Sequence, residues 1–200
     1  MNNTHINNQY LTNKQIIIIH GYTASPQKNW FPWLKVQLEQ LGASVFVPEM
    51  PDTHAPDPTH WLQHLQDSQI ELDTETILIG HSLGCITLLR FLMAQQQQNP
   101  KVGGYILVSG FADEQQTLPE LKAHTNFTLN YPYLKSVSDN RISIISSNDI
   151  IVSPQSSITL ADLLETNVIT VENAGHFLDR EGFSEFPLIL DILKNGFQIS

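Results

Sequence analysis

The chain has 200 residues, of which 41% are hydrophobic and 15% charged, and this length is enough for one domain with a full core. Twenty acidic against ten basic residues give a formal net charge of −10, which argues against nucleic acid or an anionic membrane as a partner. The longest aliphatic run, 16–19, is far too short to cross a bilayer.

The N-terminal residues and the cysteine content bear on the cellular compartment. Residues 1–14 are polar and Asn-rich and contain no apolar signal segment, so we expect a frayed or short ordered lead-in to the first strand. The single cysteine, Cys85, cannot form an internal disulfide, which agrees with a reducing compartment. Together these features predict a cytoplasmic protein.

Short apolar stretches rich in β-branched residues recur along the chain and predict six strands. They lie at 15–19, 44–47, 76–79, 104–109, 141–146 and 167–171. Continuous apolar runs are typical of parallel strands that helices cover on both faces.

Helical patterns fill the intervals between these strands. They lie at 30–41, 58–70, 83–97, 154–164 and 181–194. Gly42 would end the first helix, and Asp57 before Pro58 is a good N-cap for the second. With no repeat and no linker, the pattern predicts a single α/β domain over residues 1–200.

Two irregular stretches interrupt this alternation. The segment 48–58 carries four prolines and predicts a stiff loop after the second strand. The segment 111–140 is the longest excursion between strands, but its length allows a modest lid at most and no large cap.

The motif Gly80-His81-Ser82-Leu83-Gly84 fits the pattern G-x-S-x-G between a predicted strand and a predicted helix. In that context the motif forms a sharp turn that exposes a nucleophilic serine. The helix N-terminus after it favours negative charge. The motif therefore predicts that Ser82 is a nucleophile.

A serine hydroxyl needs a base that takes its proton and an acid that orients the base. Asp149 follows the fifth predicted strand and His176 follows the sixth, so both fall at strand carboxyl ends, where open α/β sheets build their sites. The order Ser, Asp, His is that of the doubly wound hydrolases. Asp113, just past the fourth strand, is the reserve candidate for the acid.

Acyl transfer also needs donors for a developing oxyanion, usually two backbone amides. The amide of Leu83, directly after the serine, is one candidate. The loop after the first strand, His20-Gly21-Tyr22-Thr23, supplies the other, for which we select Tyr22. We place His20 and Gly21 beside the substrate in the same loop, where His20 is better suited to shape the loop by hydrogen bonds than to ionise.

The first-strand and loop sequence 16–22, the serine motif 80–84, Asp149 and Gly175-His176-Phe177 together resemble an α/β-hydrolase. More narrowly, the compact length, Trp30 and Trp33 after the first loop, and 147–149 resemble the YdeN-like, retinoblastoma-binding-protein-type serine hydrolases. The resemblance covers nearly the whole chain. It implies a trimmed hydrolase fold, a Ser-His-Asp triad and esterase-like activity on small acyl substrates.

For several residues the sequence allows either a functional or a structural role. Trp30 and Trp33 could wall an acyl pocket, where we place them as substrate-binding candidates, or anchor their helix to the sheet. His81 is most simply a packing or hydrogen-bonding residue. His60 and His64 share a helical face, but no third ligand lies near, so we expect no metal.

Taken together, these features predict a serine hydrolase that cleaves small acyl esters through an acyl-enzyme on Ser82. It would need no cofactor, and its only expected partner is a small acyl substrate. Two alternatives stay open: a protein-binding module on a hydrolase scaffold, with a possible protein partner that the sequence does not identify, and an acyltransferase or thioesterase with the same triad. With no large cap, we expect a preference for short acyl chains.

Overall fold

A computed structural model describes residues 10–198, in which one sheet of six parallel strands has the order β2-β1-β3-β4-β5-β6. The strands are β1 Gln15–Ile19, β2 Ser44–Phe46, β3 Thr76–His81, β4 Gly104–Val108, β5 Arg141–Ser146 and β6 Asn167–Val171. Strand β1 lies between β2 and β3, with Ile16 paired to Val45 on one side and to Ile77 on the other. The prediction of a mostly parallel six-stranded sheet is confirmed.

The described residues form seven α-helices around the sheet. They are α1 Phe31–Gln40, α2 Pro58–Asp67, α3 Leu83–Ala94, α4 Lys122–Thr125, α5 Tyr131–Ser136, α6 Pro154–Leu164 and α7 Pro187–Lys194. The Asp57 carboxylate accepts the amides of Thr59 and His60, as expected of an N-cap. Helix α7 starts later than predicted, because Gly182 adopts a left-handed conformation (φ +96°) that ends a short 3-10 turn.

The strand side chains divide the core into two layers. Ile17 and Ile19 point into a layer that includes residues of α2, α3 and α6, whereas Ile16 and Ile18 point into a layer with α1 and α7. Strand residues therefore alternate between two apolar faces, which explains the continuous apolar runs in the sequence. This single compact domain has the predicted α/β-hydrolase architecture.

The excursion 111–140 contains a 3-10 turn and the short helices α4 and α5. The Nε2–H of His124 in α4 donates to Pro56 O at 3.1 Å, so the excursion is tied to the proline-rich loop. It is a small packed segment, within the modest size that the sequence predicted.

The lead-in 1–14 is described only from residue 10. There Leu11 is buried and its backbone amide donates to Leu41 O at 3.1 Å, so this part is packed against the domain.

Among the described residues, none of the helices has the length and apolarity that a bilayer span requires. The cytoplasmic location stays a prediction.

Candidate active site

Ser82 stands at the turn between β3 and α3 in a strained backbone conformation, with φ 55° and ψ −121°. Such a conformation costs a non-glycine residue of the order of 1–3 kcal/mol and is found mainly at functional sites. Two glycines permit the turn: a Cβ on Gly84 would lie 2.0 Å from Ile19 O, and one on Gly80 would lie 2.7 Å from the Cα of Cys85. Close packing of α3 on the sheet thus requires the glycines of the motif.

Asp149 and His176 meet at the carboxyl ends of β5 and β6. The Nδ1 of His176 lies 2.7 Å from Asp149 Oδ2, and both side chains are at least 95% buried. A carboxylate can only accept, so Nδ1 carries the proton and Nε2 is left as an acceptor. The imidazole is thereby held in the tautomer that can take a proton from a hydroxyl.

Four donors fix the Asp149 carboxylate. His176 and the Ser109 hydroxyl (2.8 Å) donate to Oδ2, while the amides of Ile151 and Val152 donate to Oδ1 at 2.9 and 3.0 Å. Burial by itself would raise the pKa of Asp149, but the hydrogen bonds and the charge of His176 hold that pKa below its ordinary value. The acid is therefore kept ionised beside the imidazole.

The loop that carries His176 is held by side chains from two other segments. Asn148 Oδ1 accepts the amide of Gly175 at 2.8 Å, and Glu181 Oε2 accepts the amide of His176 at 2.8 Å. Gly175 has φ +58°, and a Cβ there would lie 2.4 Å from the carboxyl carbon of Glu181. A larger residue would be strained by the positive φ and would displace the Glu181 carboxylate from this position.

His81 connects the serine turn to the histidine loop. Its Nε2–H donates to the backbone carbonyl of His176 at 2.9 Å, and the two rings lie 5.0 Å apart. Complete burial, followed by repulsion from His176, lowers the pKa of His81 to about 3. A neutral ring therefore supports the loop without placing a cation beside His176.

Ser82 and His176 line the same cavity. Among residues 10–198 no hydrogen bond joins the Ser82 hydroxyl to the imidazole, and catalytic hydrogen bonds of this kind often form only when a substrate binds. Both side chains are almost completely buried. The cavity nevertheless gives a substrate access to them.

Two backbone amides lie beside Ser82 and are available to donate hydrogen bonds to an oxyanion. Within the part of the chain that the structure describes, the amides of Tyr22 and Leu83 donate to no protein acceptor. A Cβ on Gly21 would lie 3.0 Å from Ser82 Cβ, so the first loop passes directly beside the serine. This arrangement suits the two donors that acyl transfer needs.

His20 shapes this loop from inside the protein. It is fully buried, with Nδ1–H donating to Gly21 O at 3.1 Å and Nε2 accepting the amide of Met50 at 3.3 Å. Burial lowers its pKa. His20 does not line the cavity, which corrects its assignment to substrate binding and leaves it as a support for the loop.

The cavity has a volume of about 430 Å³, within the range of small-molecule sites. Its lining combines apolar and polar side chains from five segments of the chain. They are Tyr22, Thr23, Ala24, Lys28, Asn29, Ser82, Thr117, Leu118, Ile150, Ile151, His176, Leu178, Asp179 and Arg180.

Neither tryptophan of the first helix lines this cavity. Trp30 is fully buried, with its ring 5.9 Å from that of His81 and 5.5 Å from that of Phe186, and Trp33 packs on the same core layer. The substrate-binding assignment of Trp30 and Trp33 is therefore wrong in this structure. They anchor α1 to the sheet, the other reading of the sequence.

The remaining candidates lie apart from the site. Asp113 accepts hydrogen bonds from Ser156 and Gln115 and makes no contact with His176. Cys85 is buried, and burial raises the pKa of its thiol, so it has packing character. Among residues 10–198, no group of three or more His, Cys, Asp or Glu residues could hold a metal ion, and His60 and His64 therefore belong to no such group.

Three contributing residues were missed by sequence reasoning. Ser109, Asn148 and Glu181 act through hydrogen bonds to Asp149, Gly175 and His176. Asn148 stands next to Asp149 in the sequence, which is a usable signal. Ser109 gives no such signal because its partner lies 40 positions away. Glu181 is only five positions from His176, but the sequence pattern placed it at the start of the last helix.

The sequence model of the family described as serine hydrolase matches residues 16–195. The chain is 39% identical over 184 residues to YdeN of Bacillus subtilis (strain 168), covering 92% of this chain and 96% of YdeN. It is 26% identical over 169 residues to the serine hydrolase RBBP9 of Rattus norvegicus, covering 83% and 85% of the two chains.

Solved structures show the same relationship. The crystal structure of the ydeN gene product from B. subtilis superposes with a TM-score of 0.87 at 38% identity, over 92% of this chain and 98% of that chain. Est1E from Butyrivibrio proteoclasticus, solved with ferulic acid, shares the fold with a TM-score of 0.69 at 14% identity, over 92% and 88%. With its family model, its relatives and its fold in agreement, the chain belongs to the serine hydrolase family.

Proposed function

We propose that the protein hydrolyses small acyl esters through an acyl-enzyme on Ser82. The single observation that carries this is the buried 2.7 Å contact of Asp149 with His176, which lines the same cavity as the strained Ser82. This arrangement supplies a nucleophile, a base and an orienting acid. Membership of the serine hydrolase family supports it.

In the first half-reaction, His176 Nε2 takes the Ser82 proton as Oγ attacks the ester carbonyl. The amides of Tyr22 and Leu83 hold the oxyanion, and Asp149 stabilises the imidazolium. His176 then gives its proton to the departing alcohol. Water repeats the sequence on the acyl-enzyme, releasing the acid and free Ser82.

A fluorophosphonate probe tests the nucleophile. We expect the wild-type protein to be labelled on Ser82 and Ser82→Ala to be unlabelled, with turnover of p-nitrophenyl acetate lower by about a million-fold. Ser44→Ala, an exposed serine on the edge strand β2, is the matched control and should label normally. A folded wild-type protein that fails to label would favour the protein-binding module instead.

A series of p-nitrophenyl esters tests the size of the acyl group. The cavity of about 430 Å³ and the short excursion 111–140 support a preference for short chains. Efficient turnover of long chains alone would contradict this.

Added alcohols or thiols in the same assay would reveal acyl transfer, which separates a transferase from a hydrolase.

A further inference from the structure

The basic side chains of this acidic protein are almost all engaged within the fold. Of the ten Lys and Arg residues, five lysines pair with carboxylates, and Arg90, Lys101 and Arg141 donate to backbone carbonyls. In the structure over residues 10–198, only Lys28 and Arg180 have side chains with neither an ion pair nor a hydrogen bond. Both line the cavity that holds Ser82 and His176.

These two residues belong to segments that lie side by side. The amide of Asp179 donates to Asn29 Oδ1 at 3.1 Å, which joins the loop of Lys28 to the turn of Arg180. The two cationic side chains therefore border one part of the cavity, although they are 152 positions apart in the sequence.

The charge of the lining is opposite to that of the whole chain. Asp179 is the only carboxylate among the lining residues, and its Oδ1 already accepts the amide of Arg180 at 2.7 Å. Among the lining residues two cations therefore stand against one anion, while the chain carries a formal charge of −10. The Glu120 carboxylate lies beside the Tyr22 hydroxyl and raises its pKa, but Glu120 is not itself a lining residue. A concave site of this sign attracts anions.

Another part of the lining is apolar. Leu118, Ile150 and Ile151 belong to two segments that are joined by a hydrogen bond from the Thr117 hydroxyl to Ile151 O. Ile150 is 83% exposed at this lip. The cavity thus offers an apolar wall for a hydrocarbon segment and free cations for a charged end.

We propose that the protein selects esters that carry a carboxylate away from the scissile bond, with Lys28 and Arg180 binding that carboxylate. This inference rests on the proposed ester hydrolysis and names its substrate class. The planar guanidinium of Arg180 matches a carboxylate in geometry, and Lys28 adds a point charge.

Matched esters test the selection. In the first pair, mono-p-nitrophenyl adipate carries a carboxylate on the acyl side of the ester, and it is compared with the neutral p-nitrophenyl adipamate. The hexanoates of 4-hydroxybenzoate and 4-hydroxybenzamide form the second pair, with the carboxylate on the alcohol side. In one of the two pairs, we expect kcat/KM for the carboxylate ester to exceed that for the amide ester about tenfold, because two exposed ionic contacts together contribute about that factor. The pair that shows this preference identifies whether the carboxylate is bound on the acyl side or on the alcohol side of the ester.

Substitutions assign the preference to the two cations. Lys28→Met/Arg180→Met should reduce the carboxylate-to-amide ratio about tenfold. Lys135→Met/Lys194→Met removes the same charge at the ends of α5 and α7 and should leave the ratio unchanged. Raising the salt concentration should also reduce the wild-type ratio, since the contacts are exposed.

Three results would overturn the inference: a wild-type ratio near one in both pairs, a ratio that Lys28→Met/Arg180→Met leaves unchanged, or an equal loss of preference in the control variant. A binding measurement separates these from failure of the ester hydrolysis itself. Ser82→Ala protein is titrated by NMR with monomethyl adipate and methyl adipamate, and with the hexanoates of 4-hydroxybenzoate and 4-hydroxybenzamide. Tighter binding of the carboxylate in either pair supports the inference even in a protein that turns over no ester, and equal binding in both pairs refutes it.

Discussion

Replacement of Asp149 by asparagine gives the sharpest test of the proposed mechanism. Oδ1 accepts two backbone amides, from Ile151 and Val152, and an asparagine would keep these bonds with its carbonyl oxygen. Its NH₂ group would then face His176 Nδ1 and the Ser109 hydroxyl, where the carboxylate oxygen now stands.

The size of the effect follows from the tautomer that this exchange imposes. An NH₂ donor favours an unprotonated Nδ1, which moves the ring proton to Nε2 and removes the base that Ser82 needs. A wrong tautomer of this kind costs about four orders of magnitude in kcat, or about 5 kcal/mol of transition-state stabilisation. Because the asparagine has nearly the same shape, the fold should be retained.

The assay is kcat for p-nitrophenyl acetate, with circular dichroism to confirm folding. Asp113→Asn is the matched control: its carboxylate follows the neighbouring strand but bonds to Ser156 and Gln115, so kcat should stay within about twofold of wild type. If folded Asp149→Asn retained more than a tenth of the wild-type kcat, the acid role would be refuted. A large loss in Asp113→Asn instead would transfer that role to Asp113.

Three further outcomes are expected. Gly84→Ala should lower the free energy of unfolding by about 3 kcal/mol or more in urea, since its Cβ would lie 2.0 Å from Ile19 O; a loss below about 1 kcal/mol would contradict the packing argument. The lowered pKa of Asp149 stabilises the fold above the ordinary aspartate pKa of about 3.9, and this contribution is lost as pH falls through the lower folded-state pKa. Between pH 6 and pH 3, wild type should therefore lose more unfolding free energy than Asp149→Asn, and equal urea curves would refute this. His81→Phe removes the donor to His176 O and should lower kcat about tenfold, with His81→Gln recovering part of it because its amide can donate; equal kcat in the two variants would argue against the hydrogen bond.

Local sequence patterns predicted the sheet and the serine turn well. The strand–turn–helix context of 80–84 is a short-range property, and so is the run of apolar residues in each strand. Helix ends were less predictable. The pattern suggested a start of the last helix at residue 181, but Gly182 turns left-handed and the helix begins at Pro187, which leaves the Glu181 carboxylate to accept the amide of His176.

The support around the site escaped prediction because it depends on contacts between distant segments. Ser109 lies 40 positions from Asp149, and its hydroxyl reaches the carboxylate only because β4 and β5 are neighbours. Trp30 is the opposite case, a residue that the sequence assigned to the site and that the structure places outside it. Its aromatic ring beside the first loop suggested a pocket wall, but α1 packs on the sheet and buries that ring.

Two residues of the excursion 111–140, Thr117 and Leu118, form part of the cavity wall. The contacts of the excursion are those of a packed wall: His124 is bonded to Pro56 O, Thr117 to Ile151 O, and the Arg90 guanidinium lies 4.5 Å from the Phe127 ring. A segment held at three places does not need to swing to complete the site. Specificity is therefore expected from the fixed wall and from the two free cations, rather than from closure of a cap over the substrate.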